Sequence, residues 1–266
     1  MSSEHLRVRP RGSEPLPSDL SGEGAGRPAE LAPGVLVMFT SRSGGVSEPP
    51  FDTLNMSGAV GDDAAAVRAN RCRAARACGL GDDRLAWMRQ VHGSTVRYAA
   101  GPADPAVPEA DAMYTDVAGL ALGVLAADCA PVLLADPRAR IVGAAHAGRE
   151  GMASGVVTEL LAAMRAAGAV PGRVHAVIGP RICGGCYEVP ARLRAAVAER
   201  VPQAGCLTRA GSPGIDVGAG IEAQLVGAGV RTVVHDPRCT AETPGLFSYR
   251  RDGRTGRFAG FVWLAP

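Results

Sequence analysis

The sequence predicts an α/β (α+β) fold, a mixed β-sheet sandwich flanked by helices, as one domain over residues 34–266. β-rich runs recur from "GVLVMFT" (34–40) to "RFAGFVWL" (257–264). Helical stretches fall between them without a regular strand–helix–strand rhythm, which argues against a doubly wound nucleotide fold. Runs such as "PVLLAD" and "IVGAAHA" are apolar nearly throughout, as buried strands are.

The elements follow in order. After "GVLVMFT" comes a glycine-punctuated loop, then a helix over 64–78 closed by Gly79. "RLAWMRQVHGSTVRYAA" reads as two strands around a turn at His92-Gly93-Ser94. "LALGVLAAD" and "PVLLAD" are strands, and a "DPRAR" turn leads to "IVGAAHA". Residues 150–168 read as one helix, because Met152, Val156, Leu160 and Met164 recur at steps of four and Gly168 stops it. Strand "RVHAVIG", a Gly/Cys loop "PRICGGCYEVP", helices near 190–200 and 217–227, and strand "RTVVHD" lead to the closing strand.

Composition excludes several classes. The 266 residues carry a formal net charge of +2, too small for general attraction to nucleic acid or membrane. All 28 basic residues are arginine, so lysine Schiff-base and P-loop chemistry are absent. Seven scattered cysteines do not form a secreted disulfide framework. No apolar run approaches the ~20 residues of a membrane helix. Residues 1–33, rich in Pro, Gly, Ser and charge and without an apolar signal core, read as a disordered leader on a soluble, cytoplasmic protein.

Five histidines make each placement informative. His5 lies in the leader, and His175 and His235 sit at strand ends where a structural role suffices. His92, Cys129 and His146 each end a β-like run beside small residues: "QVHGS", "ADCAP", "AHAGR". Two imidazoles and a thiolate suit Zn²⁺ with a fourth position open. The spacing of 37 and 17 residues (129 − 92 and 146 − 129) is not itself a zinc signature. A Cys129–His146 nucleophilic pair and a plain buried cysteine therefore stand beside zinc. Asp128 is a candidate to orient a ligand histidine or to act as acid and base. The stretch after His146 opens a helix, a place for an anion that Arg42 and Arg149 would join. "CGGC" (183–186) has no second Cys pair, which removes a zinc ribbon and leaves a redox pair as a minor reading. "GAGIEA" (218–223) lacks the preceding strand of a dinucleotide site, and the zinc-deaminase signature is missing.

Ordered motifs over about 34–266 resemble the laccase-domain family of YfiH type: "FTSRSGGVSEPPFDTLNMS", "QVHGSTV", "ADAMYT", "AADCAPVLLAD", "AAHAGREG", "IGPRICGGCYEV", "DPRCT" and "LFSYRRDGRTGRFAGFVWL". The resemblance implies a fold like that of a bacterial toxin deamidase and a metal held by His92, Cys129 and His146, zinc with copper as the alternative. It implies phosphate-dependent cleavage of adenosine, inosine and methylthioadenosine, with adenosine deamination. The partners expected are a purine nucleoside and phosphate, with no nucleic acid or membrane, for a monomer or homodimer. Asp128, Cys129 and Arg42 are the expected catalytic residues, and Arg42, Asn55, Gln90, Asp111 and Arg149 the expected substrate contacts. Other implied readings are a copper polyphenol oxidase and a Cys–His amide hydrolase editing peptidoglycan precursors; a non-catalytic metal-stabilised binding protein is a further alternative. The family's "HAGWRG" reads "HAGREG" here, with Arg149 for Trp and Glu150 for Arg. Its double Cys before Tyr is Gly185-Cys186, with Cys183 upstream. Both changes bear on anion binding and leave the three metal ligands in place.

Overall fold

A computed structural model describes residues 25–102 and 109–266. The chain runs through β1 (Ala29–Ala32), β2 (Val35–Phe39), α1 (Ala64–Ala77), β3 (Leu85–Ala86), β4 (Val96–Tyr98) and β5 (Ala112–Thr115). It continues through β6 (Ala121–Ala126), β7 (Ala130–Asp136), β8 (Ile141–Ala147), α2 (Arg149–Ala153), α3 (Val156–Ala166) and β9 (His175–Ile178). It ends with α4 (Ala191–Arg200), β10 (Gly205–Leu207), β11 (Pro213–Ile215), α5 (Val217–Gly227), β12 (Thr232–His235), α6 (Tyr249–Asp252) and β13 (Phe258–Leu264).

Two mixed sheets form the sandwich. One has the order β1-β2-β13-β6-β3, the other β12-β9-β7-β8-β5-β4, and β10 and β11 form a separate pair. Each strand of the sandwich sends alternate side chains to opposite faces. Leu133, Ala135, Val142 and Ala144 therefore meet Val37, Phe39, Val124 and Val262 of the other sheet. Their neighbours Val132, Leu134 and Ala145 face Leu160, Met164, Ile221 and Leu225 of the covering helices α3 and α5. On the far side Ala74 and Ala75 of α1 pack over Trp87, Phe261 and Trp263. With both faces covered, β7 and β8 are buried at every residue, which explains their nearly continuous apolar sequences.

Helix starts are set locally. Asp63 caps α1 by accepting the Ala66 N–H, and Asp216 caps α5 through Ala219. The helix expected over 150–168 is two, because Gly155 adopts φ +79° between α2 and α3. Met152, Val156, Leu160 and Met164 still face the core. Part of the expected leader is ordered, since β1 pairs with β2 (Ala29 opposite Val37) and buries Ala29 and Ala32. Four residues are too few to show a period, so sequence alone missed this strand; residues 1–24 of that leader lie outside the described residues.

The strands expected around His92 do not pair with each other. β3 joins β6 in the first sheet and β4 joins β5 in the second. β6 and β7 are divided in the same way. The chain thus crosses from one sheet to the other at residues 87–95 and again at 127–129. The crossings carry His92 and the Asp128-Cys129 pair.

Candidate metal centre

The β7–β8 hairpin fixes the first two donors. Ala130 lies opposite Ala147 and Pro131 opposite His146, so Cys129 and His146 emerge side by side at one end of the sheet. The first crossing brings His92 over them. Ligand atoms of His92, Cys129 and His146 all lie within 4.8 Å of one another. Cys129 Sγ is 3.8 Å from His92 Nε2, and the two imidazoles meet edge to face at 4.7 Å between centroids. Tetrahedral zinc would separate sulfur from nitrogen by about 3.5 Å, so the donor set fits such an ion with little movement.

His92 and Asp128 have φ of +64° and +100°, conformations that non-glycine residues adopt at a cost. Surrounding bonds hold them there. The Asp111 carboxylate, wholly buried, accepts backbone N–H groups of Val91, His92 and Gly93 at 2.7–3.2 Å. It also meets His146 Nδ1 at 2.9 Å, which leaves Nε2 to face the other donors. Asp128 accepts from the hydroxyls of Thr240 (2.6 Å) and Ser248 (2.7 Å) and from the Arg250 N–H (2.6 Å). Gly148 completes the packing. A Cβ there would lie 2.7 Å from Cys129 Sγ and 3.3 Å from His92 Cδ2.

Burial opposes the Cys129 thiolate, yet the imidazoles of His146 and His92 outweigh it and bring the thiol down to about 6. Burial likewise opposes a charged His146. The Cys129 sulfur and the Asp111 carboxylate overcome it and raise the imidazole to about 9. Without metal the pair is a thiolate beside an imidazolium, both held in position for a cation to replace the proton.

The three donors line a cavity of about 850 Å³. Its walls include apolar Met88, Leu125, Ala126 and Ile182, aromatic Tyr187 and Tyr249, and arginines 71, 89, 149, 250 and 257. Asp128 is its only lining carboxylate among the described residues.

Several expected contacts lie elsewhere. Arg42 is outside the cavity, its guanidinium paired with Asp52 (3.0 Å) and Asp252 (3.1 Å) and set over the Phe247 ring. Asn55 is wholly buried, bonding Ser57, Asp62 and the Arg257 N–H. Asp111 is beneath the site rather than on its wall. It takes the histidine-orienting part expected of Asp128, while Asp128 lines the cavity. Gln90 does line it, with its amide engaged by both backbone groups of Leu125. Arg149 lines it too, paired with Glu150 at 2.7 Å, so the substituted pair neutralises itself.

Arg71 and Arg257 were not singled out from sequence, where arginine is too abundant to be a signal. Arg71 stacks over Trp87 and donates to the Met56 carbonyl. Arg257 Nη1 donates to the carbonyls of Thr255 and Gly256. Burial lowers both guanidinium groups, with Cys129 and Asp128 opposing the shift at Arg257.

The family model described as multi-copper polyphenol oxidoreductase laccase matches residues 36–265. The chain belongs to this laccase-domain family. A Streptomyces griseus relative named purine nucleoside phosphorylase ORF3 is 54% identical over 228 residues, covering 85% of this chain and 93% of its own. A purine nucleoside phosphorylase of Deinococcus radiodurans is 40% identical, covering 90% and 94%. Among solved structures, YlmD from Geobacillus stearothermophilus superposes with TM-score 0.85 at 31% identity, covering 93% of this chain and all of the other. Neisseria meningitidis NMB0706 gives TM-score 0.81 at 36% identity, covering 90% and 98%. Among the described residues, no helix is long and apolar enough to cross a membrane.

Proposed function

We propose that this chain is a zinc-dependent purine nucleoside phosphorylase acting on adenosine, inosine and methylthioadenosine, with adenosine deaminase activity. One observation carries the reading: two imidazoles and a thiol converge at the wall of an arginine-rich cavity sized for a nucleoside. The names borne by the relatives support the substrate class.

Phosphorolysis passes through an oxocarbenium-like state, so a site must hold an anion on one face of the sugar and stabilise the departing base on the other. Arg257 is the candidate for phosphate in place of Arg42, with Arg149 beside it where phosphate displaces Glu150, because both residues line the cavity. Burial strengthens such charge-assisted bonds. Tyr249, Tyr187 and the apolar wall offer a surface for a purine ring. Asp128, held by three donors on its own side of the cavity, is placed to accept a proton or a hydroxyl hydrogen bond. His92, Cys129 and His146 would hold zinc, which when bound supplies Lewis acidity to the reacting centre.

Copper is the alternative metal, since Cu²⁺ exceeds Zn²⁺ in raw affinity. A multicopper oxidase requires many more imidazoles than five histidines supply, and among the described residues only His92 and His146 reach this site.

A second reading has its own observation. Asp111, His146 and Cys129 form a carboxylate–imidazole–thiolate series, the arrangement of a cysteine nucleophile for amide hydrolysis. Zinc on the sulfur would occupy the electron pair that such a nucleophile uses.

The test is to incubate metal-analysed protein with a nucleoside panel, with and without phosphate, and identify products by mass spectrometry. Adenosine with phosphate is expected to yield adenine and ribose 1-phosphate, and adenosine alone to yield inosine. No phosphate-dependent base release from zinc-replete protein would overturn the phosphorylase reading. Covalent labelling of Cys129 by a substrate-like electrophile in zinc-replete protein would favour the hydrolase.

A further inference from the structure

Two loops outside the triad bring four more ligand-type side chains together. Cys183, Cys186, Cys239 and Glu242 offer donor atoms within 4.8 Å of one another. The sequence "CGGC" has no second Cys pair, but the fold supplies one thiol and one carboxylate from "CTAE" (239–242). Each loop presents its donors three residues apart on a tight turn. The N–H groups of Cys186 and Tyr187 bond the Cys183 carbonyl at 3.0 Å, and those of Glu242 and Thr243 bond the Cys239 carbonyl at 3.1 and 2.9 Å. The turns are joined by a backbone bridge between Arg181 and Cys239 and by the Cys183 N–H on Cys239 Sγ at 3.3 Å.

The geometry points to a second metal site, taking Zn²⁺ through Cys183, Cys186, Cys239 and Glu242. Thiolates select soft and borderline ions, and four protein donors close the tetrahedron, as in structural zinc sites. Three thiolates and a carboxylate around a dication leave a net charge of about −2. Arg209 stands where it would offset that charge. Its Nη1 is 3.2 Å from Cys186 Sγ, its Nη2 is 3.8 Å from Cys183 Sγ, and both meet the Glu242 carboxylate. The location gives the ion a purpose. Thr240, between the two 239–242 donors, holds Asp128, and Ile182 and Tyr187 on the other loop line the cavity. An ion here would lock two loops of the cavity wall to each other.

The probe is Zn²⁺ itself. Protein dialysed against Zn²⁺ and desalted is expected to retain about two zinc ions per chain, falling to about one in both Cys239→Ser and His92→Ala. In wild-type protein Cys183, Cys186 and Cys239 are expected to resist alkylation until a chelator is added, a measurement that requires no variant to fold. An unchanged zinc count in folded Cys239→Ser, or free alkylation of all three thiols in zinc-loaded protein, would each overturn the site. A Cys183–Cys186 disulfide in reductant-treated, zinc-loaded protein would do the same. None of these readouts depends on catalysis, so this site and the phosphorylase reading fail separately.

Discussion

The His92–Cys129–His146 centre and the Cys183–Cys186–Cys239–Glu242 cluster are built by different means. The first takes His92 and Cys129 from the two crossings between sheets and His146 from β8, is braced from beneath by a wholly buried Asp111, and has three donors facing a cavity. The second hangs on two turns, has four donors, and carries its counter-ion, Arg209, near the solvent. Three donors leave a coordination position for a substrate, whereas four leave none. The difference teaches that donor number and the rigidity beneath the donors would separate a reactive site from a fastening once both hold metal, although the ligand types overlap.

The sharpest break of this contrast is Cys129→Ala. It is expected to lower phosphorolysis by ~10³-fold or more and to remove only the triad's zinc, as read by turnover and metal analysis of one preparation.

Asp111→Asn tests the bracing. Loss of an orienting carboxylate typically weakens metal affinity by ~10–100-fold, measurable by chelator competition. It also alters the metal-free protein. Cys129 alkylation in wild type is expected to rise with pH around a midpoint near 6, because His146 favours the thiolate. Without the Asp111 charge His146 holds its proton less firmly, so that midpoint should move upward. The signs for stability follow. Cys129, depressed from 9.0 to about 6, stabilises metal-free protein fully only above about pH 9 and loses this as pH falls through 6. His146, raised from 6.5 to about 9, contributes fully below 6.5 and loses this as pH rises through 9.

Gly148→Ala probes the close approach of the donors. The new Cβ would press on Cys129 Sγ, so zinc retention is expected to fall while the Cys239 cluster keeps its ion.

The cavity arginines give a smaller effect. Arg257→Gln should raise the KM for phosphate ~10-fold with unchanged zinc content, reflecting one lost charge-assisted contact. Arg42→Gln should leave the KM for phosphate within about twofold and cost less than ~1 kcal/mol of stability, since a half-exposed ion pair contributes little. An equal KM effect from both variants would show that the cavity wall does not distinguish them.

The sequence by itself determined most of the longer elements and which few polar residues interrupt apolar runs, but not β1 or the break between α2 and α3. β7 and β8 were legible as continuous apolar runs because both their faces are covered, and α3 because Val156, Leu160 and Met164 recur on one face. His92, Cys129 and His146 stood out because each ends such a run. Only the tertiary structure decided that β3 and β4, like β6 and β7, belong to different sheets. It also decided that Asp111 rather than Asp128 orients an imidazole, that Arg42 lies outside the cavity, and that Cys239 meets "CGGC". Periodicity reports how deeply a residue is buried but not which distant residue it meets. The partner is chosen by sheet pairing and by backbone turns such as those at His92 and Asp128, whose positive φ is sustained by hydrogen bonds from segments as far as 122 residues away.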